Sequence, residues 1–196
     1  MINTKEKMQI AIEWIKKYRI ILSSMLITAV VILCAIVSFV YNKDAKRFEI
    51  AAKQIEGLSQ NIVKHYKASP SYWGLSSREV INNKLYTADI IVAGNRLIGN
   101  LGNIIEIGSD ENGTMVMPSA KSFVIAYRNL TKKDCEGLGS QKFNKSFWLN
   151  VNKITIKNNL KSQDFSWGDK NYELPVKHKI LKDLCQKEAN SIIIHF

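Results

Sequence analysis

The sequence predicts an α+β protein: a long N-terminal helix, its inner half membrane-spanning, packed on a mostly antiparallel β-sheet. Three observations carry this. Residues 20–41, IILSSMLITAVVILCAIVSFVY, hold no charge, Gly or Pro. At about 1.5 Å per residue a helix of this length crosses the ~30 Å apolar core of a bilayer. Downstream, Phe48, Ala51, Ala52, Ile55, Leu58, Ile62 and Val63 recur at three- and four-residue steps, the spacing of one helix face. After residue 90 the pattern changes to short β-branched and aromatic runs separated by Gly, Asn and Pro, the signature of strands and turns.

Charges close the apolar run at both ends: Lys16, Lys17 and Arg19 before it, Lys43, Asp44, Lys46 and Arg47 after it. The chain of 196 residues divides there into a tail (1–19), a transmembrane segment from Ile20 to Tyr41, an amphipathic extension (42–67) and a globular domain (68–196). The tail is too short for a core, and the last piece is the size of one ordinary domain. In the tail, Ile10, Trp14, Ile15 and Tyr18 fall on one helical face, suited to the headgroup layer or to a short continuation of the spanning helix. The stripe Phe48, Ile55, Leu58 and Ile62 needs a partner surface. A self-dimerising coiled coil would provide one, but the strands that follow need a cover, which favours packing on the chain's own sheet.

Ser69-Pro70-Ser71 ends the long helix. Ser76 with Glu79 forms a capping box for a second helix over 77–86. Gly94, Gly99 and Gly102 follow Ile90–Ala93; with no Lys-Ser/Thr and no helix after them, they read as turns, not as a phosphate loop. Strands are expected at 103–107 and 115–117, joined by a tight turn at Asn112-Gly113. Ser122–Arg128 is the clearest strand. Thr131 caps a helix running through Leu138; Phe147–Val151 and Ile154–Ile156 read as strands, 157–175 as loop, 176–185 as a short helix, and 191–196 as a covered central strand.

The net charge is +11. Five Lys/Arg against two Glu lie before residue 20, and 23 basic against 15 acidic residues lie after it. A basic domain faces nucleic acid, acidic lipid or an acidic partner, or is simply soluble. No Lys/Arg cluster stands out as interleaved with aromatics, so nucleic acid is weakly supported as a partner. Cys34 lies in the apolar run, after a Leu33 too bulky for a lipoprotein signal. Cys135 and Cys185, both in the large domain, read first as one disulfide; two buried thiols or half a metal site are the alternatives. No C-x-x-C occurs and the His residues are scattered, so neither metal nor cofactor is expected. A disulfide requires an oxidising compartment. That places the N-terminus in the cytoplasm and the large domain outside, with the slight excess of positive charge in the tail pointing the same way. Paired carboxylates in a pocket context, G-x-S-x-G and H-E-x-x-H are all missing, and His195 reads as a sheet-face histidine. An enzyme is not expected.

Several stretches, in order, resemble type IVb pilins, the family of thin and conjugative pili and linked secretion systems. Tyr72–Ile81, YWGLSSREVI, is similar to that family's aromatic-Gly-Leu entry to its second helix. Asn100-Leu101-Gly102-Asn103-Ile104 is similar to its N-x-G-G entry to the first strand, with Asn103 in place of the second Gly. Phe123–Leu130 followed by Cys135, and Cys185 followed by Asn190–Ile194, resemble its two cysteine-bearing strand segments. The resemblance implies a helix half in the membrane and half on an antiparallel sheet. It also implies a Cys135–Cys185 bridge enclosing a variable, partner-facing region. The front of the chain departs from the family. Prepilins are cut after a Gly just before the apolar run and carry Glu five residues on; this chain has no Gly before Gly57, and Arg19 and Ser24 stand at those places, with Glu13 too far upstream. The expectation is an uncleaved, membrane-anchored pilin-like subunit of a pilus or secretion assembly in a bacterial inner membrane, its partners the membrane, its own copies or other subunits. A bitopic periplasmic scaffold and an adhesion or DNA-uptake module are the alternatives.

Overall fold

The structure, a computed structural model, describes residues 4–109, 120–141, 143–187 and 189–196. Its first element is the helix α1, Thr4–Tyr66, of 63 residues. The chain divides into two compact units, Met1–Asp44 and Ala45–Phe196.

In the first unit every side chain described from Met8 to Lys43 is exposed, including Leu33, Val37, Phe39 and Tyr41. The apolar part of this helix is long and apolar enough to cross a membrane. Ser24 and Thr28 return their hydroxyls to the backbone at Ile21 and Ser24, which leaves no side-chain donor of theirs unmet in an apolar surrounding.

The second unit holds the C-terminal part of α1, four short helices and a sheet. The helices are α2 (Ser77–Asn82), α3 (Lys132–Gly139), α4 (Lys145–Asn150) and α5 (His178–Leu184). The strands are β1 (Ile91–Ala93), β2 (Arg96–Ile98), β3 (Ile104–Gly108), β4 (Val124–Leu130), β5 (Lys153–Lys157), β6 (Ser162–Ser166) and β7 (Asn190–His195). Their order is β1-β2-β3-β4-β7-β5-β6, and every ladder is antiparallel.

Period-two alternation sorts the sheet residues onto two faces. Ile105, Ile107, Ile125, Tyr127, Ile192, Ile194, Ile154, Ile156 and Phe165 join one core with Ala51, Ile55, Leu58 and Ile62 of α1. Val124, Ala126 and Ile193 form a separate buried cluster. β7 lies between β4 and β5, the central position anticipated for 191–196.

Ser76 accepts from the Glu79 amide, and Thr131 from that of Asp134, so both expected N-caps are present. Three expectations are corrected, and the turn expected at Gly94 is present. The second helix stops at Asn82, short of residue 86; Lys84 adopts φ 52°, which no α-helix continues through. Phe147–Val151 is not a strand: the Asn144 side chain caps the Phe147 amide and starts α4. Residues 162–166, read as loop, form β6 on the sheet edge. Phe165 is its one fully buried residue, too few to show as an apolar run. Ile91–Ile98 is a hairpin, with Ala93 paired to Arg96 across Gly94-Asn95 and Gly94 at φ 61°. The expected turn at Asn112-Gly113 and strand at 115–117 lie outside the described residues.

Candidate functional site: the helix–sheet seam and the disulfide-tied region

The seam is built on the α1 stripe. Phe48, Ile55, Leu58 and Ile62 are all buried. Burying each such side chain is worth about 1.5–3 kcal/mol. This apolar contact drives association but does not by itself choose the helix's rotation or height.

Polar side chains along α1 supply that choice. Gln54, 1% exposed, donates from Nε2 to the Asp89 carbonyl at 2.7 Å and accepts at Oε1 from the Asn100 amide at 3.2 Å. The Tyr127 hydroxyl also reaches Gln54 Oε1, at 3.5 Å; burial pushes that phenol's pKa far upward, so it stays a donor. Asn61 donates to the Leu85 carbonyl at 2.8 Å, and Asn100 to the Arg47 carbonyl at 2.7 Å. Glu56 accepts from the Asn144 amide at 2.8 Å. Buried polar groups cost free energy unless paired, so a slip of α1 by one residue would strand several of them at once.

Phe48 lies over α3. A Cβ at Gly137 would run into the Phe48 ring, so any side chain there would force that ring to shift. Arg47 pairs with Asp134 at 3.6 Å, and Asp134 also accepts from the Thr131 hydroxyl at 2.7 Å.

Cys135 on α3 is joined to Cys185 at the end of α5, closing a loop of 50 residues that contains α4, β5 and β6. The bonded pair excludes both alternatives weighed for these cysteines. Asn190, fully buried, donates to Leu130 and Gln186 and accepts from the Gln186 amide, which pins the chain beyond the bridge to β4. Asn158 donates to the Leu184 carbonyl at 2.6 Å and ties the β5–β6 turn to α5.

His195 lies in a polar cluster across β7, β5 and β6. Its Nε2 is 3.0 Å from the Thr155 hydroxyl, which donates to Asp164 at 2.6 Å; Lys153 is 3.1 Å from the same carboxylate. Burial pushes the Asp164 carboxyl up, but the Thr155 hydroxyl and the Lys153 ammonium outweigh it and hold its pKa below the ordinary carboxylate value. The carboxylate, not the imidazole, therefore takes the hydroxyl hydrogen. Such a Thr is a cross-strand tie and not an activated nucleophile. Among the described residues no group of three or more His, Cys, Asp or Glu is placed to hold a metal ion.

No protein-family model matches the chain, and no curated protein matches it by sequence. Solved structures do. TcpA, a type IV pilin from Vibrio cholerae El Tor, superposes with a TM-score of 0.50 at 12% identity, over 77% of this chain and 99% of that one. This chain has the type IV pilin fold. The type IVb pilin of Salmonella typhi also matches, at a TM-score of 0.49 and 12% identity, over 74% and 95% of the two chains.

Within this pilin fold the apolar stripe was visible in the sequence, but Gln54, Asn61, Asn100 and Gly137 were not recognised as part of the seam. A usable signal existed for Gln54 alone. It stands one position before Ile55 and four before Leu58, a polar residue on the edge of an otherwise apolar face.

Proposed function

We propose that this protein is a membrane-anchored pilin-like structural subunit of a type IV pilus or a related secretion assembly. Residues 1–19 form a cytoplasmic tail, Ile20 to Tyr41 span a bacterial inner membrane, 42–67 extend the helix outward, and 68–196 form a periplasmic domain. The observation that carries this reading is the contrast along α1. The helix is apolar and uncovered between Ile21 and Tyr41, then striped and buried under a pilin-fold sheet from Phe48 to Ile62. In this role the protein acts through helix–helix packing with its own copies or other pilus subunits, and not by catalysis. The absence of Gly before the apolar run, with Arg19 and Ser24 where pilins carry Gly and Glu, supports retention of the tail.

Two measurements test this. The intact mass of the chain extracted from native membranes should include residues 1–19; a species lacking the first 19–24 residues would restore ordinary prepilin processing. Copper-phenanthroline oxidation of those membranes should trap a dimer through Cys34, the one cysteine outside the disulfide, and Cys34→Ser should abolish it. A chain that stays monomeric at every expression level would refute self-packing of the spanning helix.

A further inference from the structure

The sheet has two ends. At one, the rings of Tyr66, Tyr72, Phe123 and Phe196 meet in series where α1 finishes. At the other lies the start of the packed part of α1, where the Arg47 carbonyl accepts from Asn100 and the Arg47 guanidinium pairs with Asp134. Strand register carries this second end across the sheet. Ile104 pairs with Arg128, Leu130 with Asn190, and Ser191 with Lys157, which also pairs with Ser162. The β5–β6 turn, residues 158–161, therefore projects from the end of the sheet where α1 first packs on it. Arg47 stands six residues after Tyr41, the last residue of the apolar run, which is about 9 Å of helix.

A buried asparagine builds this turn. The Asn158 amide donates to the Lys161 carbonyl at 2.9 Å, and its Oδ1 accepts from the Leu160 and Lys161 amides at 2.8 Å each. Its Nδ2 donates to the Leu184 carbonyl, next to the bridged Cys185. At the tip of the turn so held, Leu160 is 81% exposed, the most exposed large apolar side chain among the described residues. Lys157 and Lys161 flank it, with Lys182 near the end of α5 and Lys187 just beyond Cys185; all four are exposed. None of the four pairs with a carboxylate among the described residues. Asp183 is the one carboxylate among the described residues of 157–161 and 178–187. Asp134 and Glu136, on the neighbouring α3, are engaged by Arg47 and Lys132.

We propose that the β5–β6 turn docks on the acidic phospholipid surface of the membrane that α1 crosses, with Leu160 at the acyl boundary and the four lysines at headgroup phosphates. The proposal rests on the membrane-anchored reading above and adds a second point of attachment for the domain. An exposed apolar tip among cations is the composition that acidic lipid surfaces take up, the lysine stems lying along the apolar layer. Lysine is a point charge, suited to a diffuse layer of headgroups more than to one oriented carboxylate. A soluble polyanion would use the lysines and leave Leu160 in water.

The test uses the full chain with Cys34→Ser and Leu160→Cys, labelled at residue 160 with a nitrobenzoxadiazole fluorophore. It is reconstituted in vesicles of phosphatidylcholine alone or mixed about 2:1 with phosphatidylglycerol, each carrying a doxyl quencher high on the acyl chain. In acidic vesicles the label should shift to the blue and be quenched at least twofold more than in neutral ones, and salt should reverse the difference. A label at Asn171→Cys, beyond the far end of β6, should be quenched in neither. Each lysine beside an acidic surface shifts such an equilibrium about fivefold, so Lys157→Gln with Lys161→Gln and Lys182→Gln should return residue 160 to its quenching in neutral lipid. All the substituted side chains apart from Cys34 are exposed positions of the domain surface, so these variants fold. Equal quenching at 160 in the two lipids overturns the proposal, as does a triple variant that behaves as the parent, or a label at 171 quenched as strongly as one at 160. In each of those cases the chain still floats with the vesicles through a high-salt wash; a chain that does not float overturns the membrane anchor itself, and this docking with it.

Discussion

Leu33 and Leu58 lie on the same helix and have the same side chain, yet one is 66% exposed and the other fully buried. The residues around them explain the difference. From Ile21 to Tyr41 the helix is apolar on every side, so no face is set apart for its own chain, and the surface fits a surrounding apolar solvent. From Phe48 to Ile62 the apolar residues are confined to one face, and Glu49, Lys53 and Gln60 occupy exposed positions between them. Confinement to a face marks a helix that packs on a protein surface; apolar residues on every side suit a wholly apolar surrounding. The polar residues at the edge, Gln54, Asn61 and Arg47, then fix where the packed half sits.

The comparison can be broken most forcefully at the disulfide. Cys135→Ser with Cys185→Ser should cost about 4 kcal/mol of domain stability, the chain-entropy value for a 50-residue loop. Chemical denaturation of the full chain in detergent, followed by tryptophan fluorescence, measures it. A loss below 1 kcal/mol would mean that the Asn190 and Asn158 bonds hold the region unaided.

The matched leucines come next. Leu58→Ala should destabilise the domain by about 2–5 kcal/mol, and Leu33→Ala should leave its unfolding midpoint unchanged. Equal losses from the two would show that both halves of α1 pack on protein.

Gln54→Leu should cost about 1–3 kcal/mol despite its added apolar bulk, because the Asp89 carbonyl and Asn100 amide lose their partner. A neutral or stabilising result would remove Gln54 from the residues that set the helix's position. Thr131→Ala should cost about 1 kcal/mol through the cap of α3.

The smallest effect is at Asp164. Its folded pKa lies below the unfolded one, so its contribution is complete above the unfolded pKa and is lost as pH falls through the folded value. The side chain is 53% exposed, so solvent screening keeps this below about 1 kcal/mol. The unfolding midpoint of the parent should fall faster than that of Asp164→Asn as pH is lowered from 5 to 2; parallel curves would remove Asp164 from the acid response.

Local patterns made much of this legible in advance. The long helix follows from the apolar run and the stripe, α2 and α3 from Ser76 and Thr131, and the central place of β7 from its unbroken Ile192–Ile194. Each is a property of neighbours in sequence, where periodicity and capping act. β6 and α4 were misread for the complementary reason. Phe165 is one apolar residue in a polar strand, held by pairing with β5, and α4 starts at an Asn cap inside a run of aromatics that also suits a strand.

The sequence by itself determined that α1 changes character near residue 44, because that change is written in which faces are apolar. Only the tertiary structure decided how the packed half is held and what its end presents. Gln54 meets Asp89 and Asn100 from 35 and 46 residues away, the Phe48 ring occupies the space a side chain at Gly137 would take, and Lys121 arrives beside Tyr66 and Tyr72 with one hydrogen bond between Tyr72 and Ala120. Those contacts join segments far apart in the chain, and no local pattern encodes which distant backbone group will fill a given partner's place.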